Sequence, residues 1–87
     1  MALSVNWSSS ARRQLKAIAP KFKSAILADI DLLSNKQTTG LDICRMMKAK
    51  DTYRIRVGDY RIVFVYTRTE PKAIYIEAVG SRGDVYK

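Results

Sequence analysis

The chain has 87 residues, enough for one hydrophobic core and too few for a second domain. Hydrophobic residues make up 47% of it, which argues against disorder, and its formal charge of +8 calls for an acidic partner. One cysteine, Cys44, and no histidine exclude an internal disulfide and a thiolate metal cluster and leave the thiol without an activating base.

The opening Met1-Ala2-Leu3-Ser4-Val5 has no basic stretch ahead of an apolar run. No segment approaches the ~18 apolar residues of a membrane span. A cytoplasmic protein with no membrane association is expected, with one domain over 1–87 and no repeat, low-complexity tract or linker.

Leu3, Val5 and Trp7 alternate with polar residues and predict a short first strand with Trp7 in the core. Ser8-Ser9-Ser10 supplies an N-cap, and Ala11, Leu15, Ile18 and Ala19 recur at the spacing of an amphipathic helix. Pro20 suits the first turn of a second helix, whose apolar stripe is Phe22, Ala25, Ile26, Ile30 and Leu33. Lys21 and Lys23 oppose the macrodipole in that first turn and are read as solvated surface. From Ser34 to about Cys44, the residues Asn35, Thr38, Thr39, Gly40 and Asp42 predict a loop.

The strongest local signal follows. Tyr53-Arg54-Ile55-Arg56-Val57 and Tyr60-Arg61-Ile62-Val63-Phe64-Val65-Tyr66 are two strands separated by Gly58-Asp59, a pair suited to a two-residue type II′ turn. That turn sets the register: Val57 faces Tyr60, Arg56 faces Arg61, Ile55 faces Ile62, Arg54 faces Val63, and Tyr53 faces Phe64. One face then carries Tyr53, Ile55, Val57, Tyr60, Ile62, Phe64 and Tyr66 toward the helices; the other carries Arg54, Arg56 and Arg61. Like charges opposed across a strand pair repel, so Arg56 and Arg61 need a reason to be neighbours. An anion held between them is one; splaying into solvent or pairing with Glu77 are the alternatives. A third hairpin-type strand, Ala73 to Val79, is expected after a turn at Glu70-Pro71, and a glycine-rich tail then carries Arg82 and Tyr86.

The run Tyr53-Arg54-Ile55-Arg56-Val57-Gly58-Asp59-Tyr60-Arg61-Ile62-Val63, followed by Val79-Gly80-Ser81-Arg82-Gly83-Asp84-Val85-Tyr86, resembles the RelE/ParE toxin superfamily of type II toxin–antitoxin systems, its RelE-like branch most closely. Element order matches along the whole chain, but only the hairpin and the C-terminal motif are specific. The resemblance implies an α+β fold, β-α-α-β-β-β, with two N-terminal helices on one face of a mainly antiparallel sheet. It implies ribosome-dependent cleavage of mRNA in the decoding site without metal or cofactor. The implied partners are the ribosome, its message and an acidic antitoxin from the same operon, whose complex with the toxin binds operator DNA in such systems.

By motif match Arg61 corresponds to a phosphate-binding catalytic arginine, Arg82 to a second one after Val-Gly, and Tyr86 to a C-terminal catalytic tyrosine. Arg54, Arg56, Lys48 and Lys50 would hold RNA phosphates. RNA brings its own nucleophile, the ribose 2′-OH, so a site that aligns it and stabilises the phosphorane does not require histidine. Many relatives carry histidine or lysine at the place of Ser81, and some carry lysine at Arg54 and Arg56. Arginine is a poor proton acceptor, so the base role falls to Tyr86 or to no single residue. Two other readings stay open. ParE-like members poison DNA gyrase without being enzymes and typically lack the terminal tyrosine, and a binder without catalysis would explain the charge alone.

Overall fold

A computed structural model describes residues 3–46, 51–67 and 72–81. The turn expected at Glu70-Pro71 and the candidates Lys48, Lys50, Arg82 and Tyr86 lie outside the described residues.

Alternation makes β1 (Ser4–Trp7), in which Val5 and Trp7 turn inward and Ser4 and Asn6 outward. Trp7 is partly buried, packed against the core's rim and not within it. Ser8 then caps α1 (Ser9–Lys16), its hydroxyl accepting from the Ala11 N–H at 2.9 Å. Arg13 and Lys16 in the last turn complement the helix dipole. Pro20 opens α2 (Pro20–Ser34), where its missing N–H costs nothing. The helix closes in a Schellman turn: Lys36 N–H donates to Leu33 O and Gln37 N–H to Leu32 O, with Lys36 itself at φ 62°.

The inward stripe of α2 is narrower than its sequence suggests. Ile26, Ile30 and Leu33 are buried, whereas Phe22 is 38% exposed and Ala25 is exposed, as is Ala19 before the helix. The first turn reaches the end of the sheet, where Phe22 meets Tyr60 with ring centroids 5.5 Å apart. Phe22 thus braces the end of a hairpin.

Five strands form one sheet, β1-β5-β4-β3-β2, with β1 parallel to β5 and every other pair antiparallel. The strands after the helices are β2 (Asp42–Arg45), β3 (Thr52–Val57), β4 (Tyr60–Thr67) and β5 (Ala73–Ser81). β2 corrects the expected order to β-α-α-β-β-β-β, because the segment read as loop up to Cys44 contains an edge strand. Its four residues offer a single inward apolar side chain, Ile43, and it is held by its ladder to β3, an interaction that no local pattern announces.

The hairpin register is the one that a two-residue turn requires, from Val57↔Tyr60 through Arg56↔Arg61 to Tyr53↔Phe64. Gly58 has φ +60° and Asp59 has no positive φ, as type II′ demands. On the helix side Ile55, Ile62, Phe64, Ile74, Ile76 and Val79 of the sheet meet Ala11, Ile18, Ile26, Ile30 and Leu33. Each fully buried aliphatic side chain there contributes roughly 1.5–3 kcal/mol.

β5 contains an irregularity with consequences for the opposite face. Phe64 pairs with Ile76 but Val63 pairs with Ala78, which leaves Glu77 as an extra residue. Simple alternation cannot place Ile74, Ile76 and Val79 on one side; the bulge does so by changing parity after Ile76.

Candidate nucleic-acid interface

Because side chains alternate along a strand, the sheet face away from the helices receives Arg54 and Arg56 from β3, Arg61 and Val63 from β4, and Asp42 and Cys44 from β2. Arg56 and Arg61 are directly opposed, one step in from the hydrogen-bonded pair that closes the turn. Such pairs bring Cα atoms to about 4.5 Å, the closest cross-strand approach. The three arginines therefore share one face of the sheet, as expected.

Their electrostatics differ from the expectation. Asp42 lies in register with Arg56, and its Oδ2 is 3.0 Å from Arg56 Nε. The counter-charge thus comes from the edge strand, not from Glu77, and it relieves part of the Arg56–Arg61 repulsion inside the fold. With both side chains more than half exposed, at 57% and 59%, this ion pair is an exchangeable one.

Arg61 has a different setting. Half-buried, it makes one long hydrogen bond to the carbonyl of its neighbour Tyr60, at 3.4 Å, and no carboxylate among the described residues pairs with it. Its register partner on β5 is Gly80. Arg61 consequently has a guanidinium on one flank and, in its β5 register partner, a residue without a side chain on the other. Val63, 7% exposed, lies next in line on β4 and gives this part of the face an apolar floor. A guanidinium above such a floor offers parallel N–H donors to phosphate oxygens, with less competition from water than on an open surface.

The backbone beneath is braced from the helix side. Tyr53, preceding Arg54, stacks on Phe64 at 5.6 Å, and Tyr60, preceding Arg61, meets Phe22. Rigid support of this kind keeps charged groups aimed where they are needed. Cys44 is exposed opposite Arg54. Among the described residues no cluster of acidic or cysteine side chains could hold a metal ion. This face can hold an anion and stabilise charge that grows on it.

Sequence reasoning finds Arg54, Arg56 and Arg61 but not Asp42 or Gly80. Asp42 falls within the expected loop and Gly80 beyond the expected third strand; only strand pairing reveals either as a neighbour of the arginines. No helix of the described residues is long and apolar enough to cross a membrane.

The fold and this face define a small α+β protein with helices covering one side of its sheet and arginines gathered on the other. The chain belongs to the family described as the ParE toxin of type II toxin–antitoxin systems, whose model matches residues 5–86. It is a toxin of RelE/ParE type. Among solved structures, the RelB–RelE antitoxin–toxin complex from Methanococcus jannaschii matches with a TM-score of 0.76 at 24% identity, over 93% of this chain and 94% of that one. The RelE–RelB complex from Pyrococcus horikoshii gives 0.79 at 23% identity, over 97% and 99%. The isolated Escherichia coli RelE toxin gives 0.71 at 16% identity, over 98% and 92%. At these identities the likeness establishes a RelE-like fold. No curated protein sequence matches the chain.

Proposed function

We propose that this toxin is an endoribonuclease that cuts mRNA on the ribosome, in the cytoplasm, by attack of a ribose 2′-OH on the adjacent phosphorus. The observation that carries the proposal is the setting of Arg61, with Arg56 on one flank and Gly80 on the other on the sheet face away from the helices. In the reaction the 2′-oxygen bonds to phosphorus, the bond from phosphorus to the 5′-oxygen breaks, and a 2′,3′-cyclic phosphate and a 5′-hydroxyl end result. The proton leaves the 2′-OH and a proton reaches the departing 5′-oxygen.

Arg61 stabilises the charge on the pentacoordinate phosphorane. Arg82 follows Gly80 by two residues, so covalent reach limits its Cα to about 7 Å from that of Gly80 whatever path the chain takes. It is proposed as the second phosphate ligand, near the leaving oxygen. Tyr86 is proposed to orient the 2′-OH and take its proton, and Arg54, Arg56, Lys48 and Lys50 to hold flanking phosphates. RNA supplies the nucleophile, and no metal or cofactor is invoked.

The partner proposed for the resting state is a cognate acidic antitoxin. Support comes from the RelB-bound state of the matching archaeal toxins and from this chain's charge of +8. Operator DNA would be bound through that toxin–antitoxin complex. The matching family description, a ParE toxin, favours a second reading, inhibition of DNA gyrase without catalysis.

Purified toxin added to ribosomes translating a defined message, with a parallel gyrase supercoiling assay, separates the two. Message cut only on ribosomes supports the enzyme; intact message with inhibited gyrase moves the assignment to the poison. Arg61→Ala is expected to lower single-turnover cleavage by roughly 10²–10³-fold with the fold retained. Arg82→Ala should fall comparably and Tyr86→Phe should lose rate more than binding. Cutting at the wild-type rate by either arginine variant defeats its assigned role.

A further inference from the structure

α1 grips the bulge in β5 at several points. The Ser8 N–H donates to Ile76 O at 2.9 Å, and the Ser8 hydroxyl donates to Glu77 O at 2.8 Å while accepting from Ala11 N–H at 2.9 Å. On the far side of the bulge, Gln14 Oε1 accepts from the Val79 N–H at 2.7 Å. The N-cap and one side chain of α1 thus bond to backbone before, at and beyond a single extra residue. Backbone groups displaced from a ladder must find other partners, and here α1 supplies them.

What the bulge decides is the register beside Arg61. Were Glu77 paired in sequence after Phe64↔Ile76, Val63 would face Glu77, Ile62 would face Ala78, and Arg61 would face Val79. A branched apolar side chain would then stand beside Arg61 where Gly80 presents none, and the core would lose Val79. With the bulge in place Arg61 pairs with Gly80 and Val79 is 1% exposed.

We infer that Gln14, assisted by Ser8, is a positioning residue for the phosphate site: it holds the register shift that sets Gly80 beside Arg61. The inference deepens the RNA-cleavage reading, and only its kinetic arm rests on that reading. Gln14 is exposed on α1 and its side chain makes no other hydrogen bond among those described, so its identity is not explained by the core.

The test compares Gln14→Leu, which removes the acceptor, with Gln14→Glu, which keeps one, and with Ser8→Asp. Aspartate can still cap α1 but cannot donate to Glu77 O, which separates the helix cap from the clamp. Amide exchange at Val79 and Gly80, and the cross-strand nuclear Overhauser contact between Arg61 and Gly80, report the register directly. Gln14→Leu should speed Val79 exchange by about tenfold or more and weaken that contact, with helix content retained. In the ribosome assay it should lower kcat about tenfold with KM changed less than about twofold, while Gln14→Glu behaves as wild type. Ser8→Asp should follow Gln14→Leu in both readouts.

Unchanged exchange and an unchanged Arg61–Gly80 contact in Gln14→Leu overturn the inference. So does loosened exchange with undiminished cleavage. If wild-type toxin cuts no message, the RNA reading fails by itself, and the exchange and contact data alone decide whether Gln14 sets the register.

Discussion

Arg56 and Arg61 are opposite each other, yet they are unequal. Arg56 is exposed and tied to Asp42 at 3.0 Å, whereas Arg61 is half-buried between Arg56 and Gly80. The physical consequence is that Asp42 subtracts from the charge this face offers to a polyanion. Asp42→Asn is therefore expected to tighten binding of a short single-stranded RNA several-fold at low salt and to steepen its salt dependence by about 0.7 in slope, the value for one added phosphate contact. Fluorescence anisotropy over a salt series measures both, and an unaltered slope would show that Arg56 does not reach the RNA. Stability should move by less than about 1 kcal/mol, since the pair is solvent-exposed. The arginine cluster is legible in the sequence because a two-residue turn and a period of two leave no freedom in where Arg54, Arg56 and Arg61 point. Its carboxylate neighbour is not legible, because that pairing exists only once β2 docks on β3.

At the scale of elements, two of the three positive-φ positions among the described residues, Gly58 and Lys36, control how a hairpin and a helix end turn. Gly58 at φ +60° closes the hairpin that aligns the arginines, with open space around the position its Cβ would take. Gly58→Ala should cost about 1 kcal/mol through backbone strain alone, read from the urea midpoint, and a wild-type midpoint would contradict a left-handed turn residue. Lys36 performs the corresponding task at the end of α2 with a less suitable side chain. Lys36→Gly should raise stability by up to about 1 kcal/mol in the same measurement, the net of relieved strain and a more flexible unfolded chain. Caps and turns at Ser8, Pro20 and Gly58 are visible in the sequence because each depends on a residue and its immediate neighbours. The bulge at Glu77 is not visible, because it follows from fitting Ile74, Ile76 and Val79 to one core.

For the molecule as a whole, the hairpin serves the core and the arginine face with the same backbone. Ile62 is fully buried between Arg61 and Val63 in the chain, so packing on one side fixes aim on the other. Ile62→Ala should cost roughly 2–5 kcal/mol, a large part of the ~5–15 kcal/mol that holds a domain of this size together. A fall in Tm of more than about 8 °C is expected, followed by calorimetry. A much smaller fall would mean that the core repacks around the lost volume. The charge of +8 adds long-range attraction for polyanions but does not by itself select a face; the sheet gathers three arginines on one.

Local chemistry in the sequence was sufficient for the hairpin register, the two helices and the segregation of arginines, since strand alternation, caps and a two-residue turn act over a few neighbouring residues. Tertiary structure alone decided the edge strand β2, the Asp42–Arg56 pair, the bulge and the placement of Gly80 beside Arg61. These depend on contacts between residues far apart in the chain, whose energies come from ladder hydrogen bonds and shared core volume, and neither is written in any single segment.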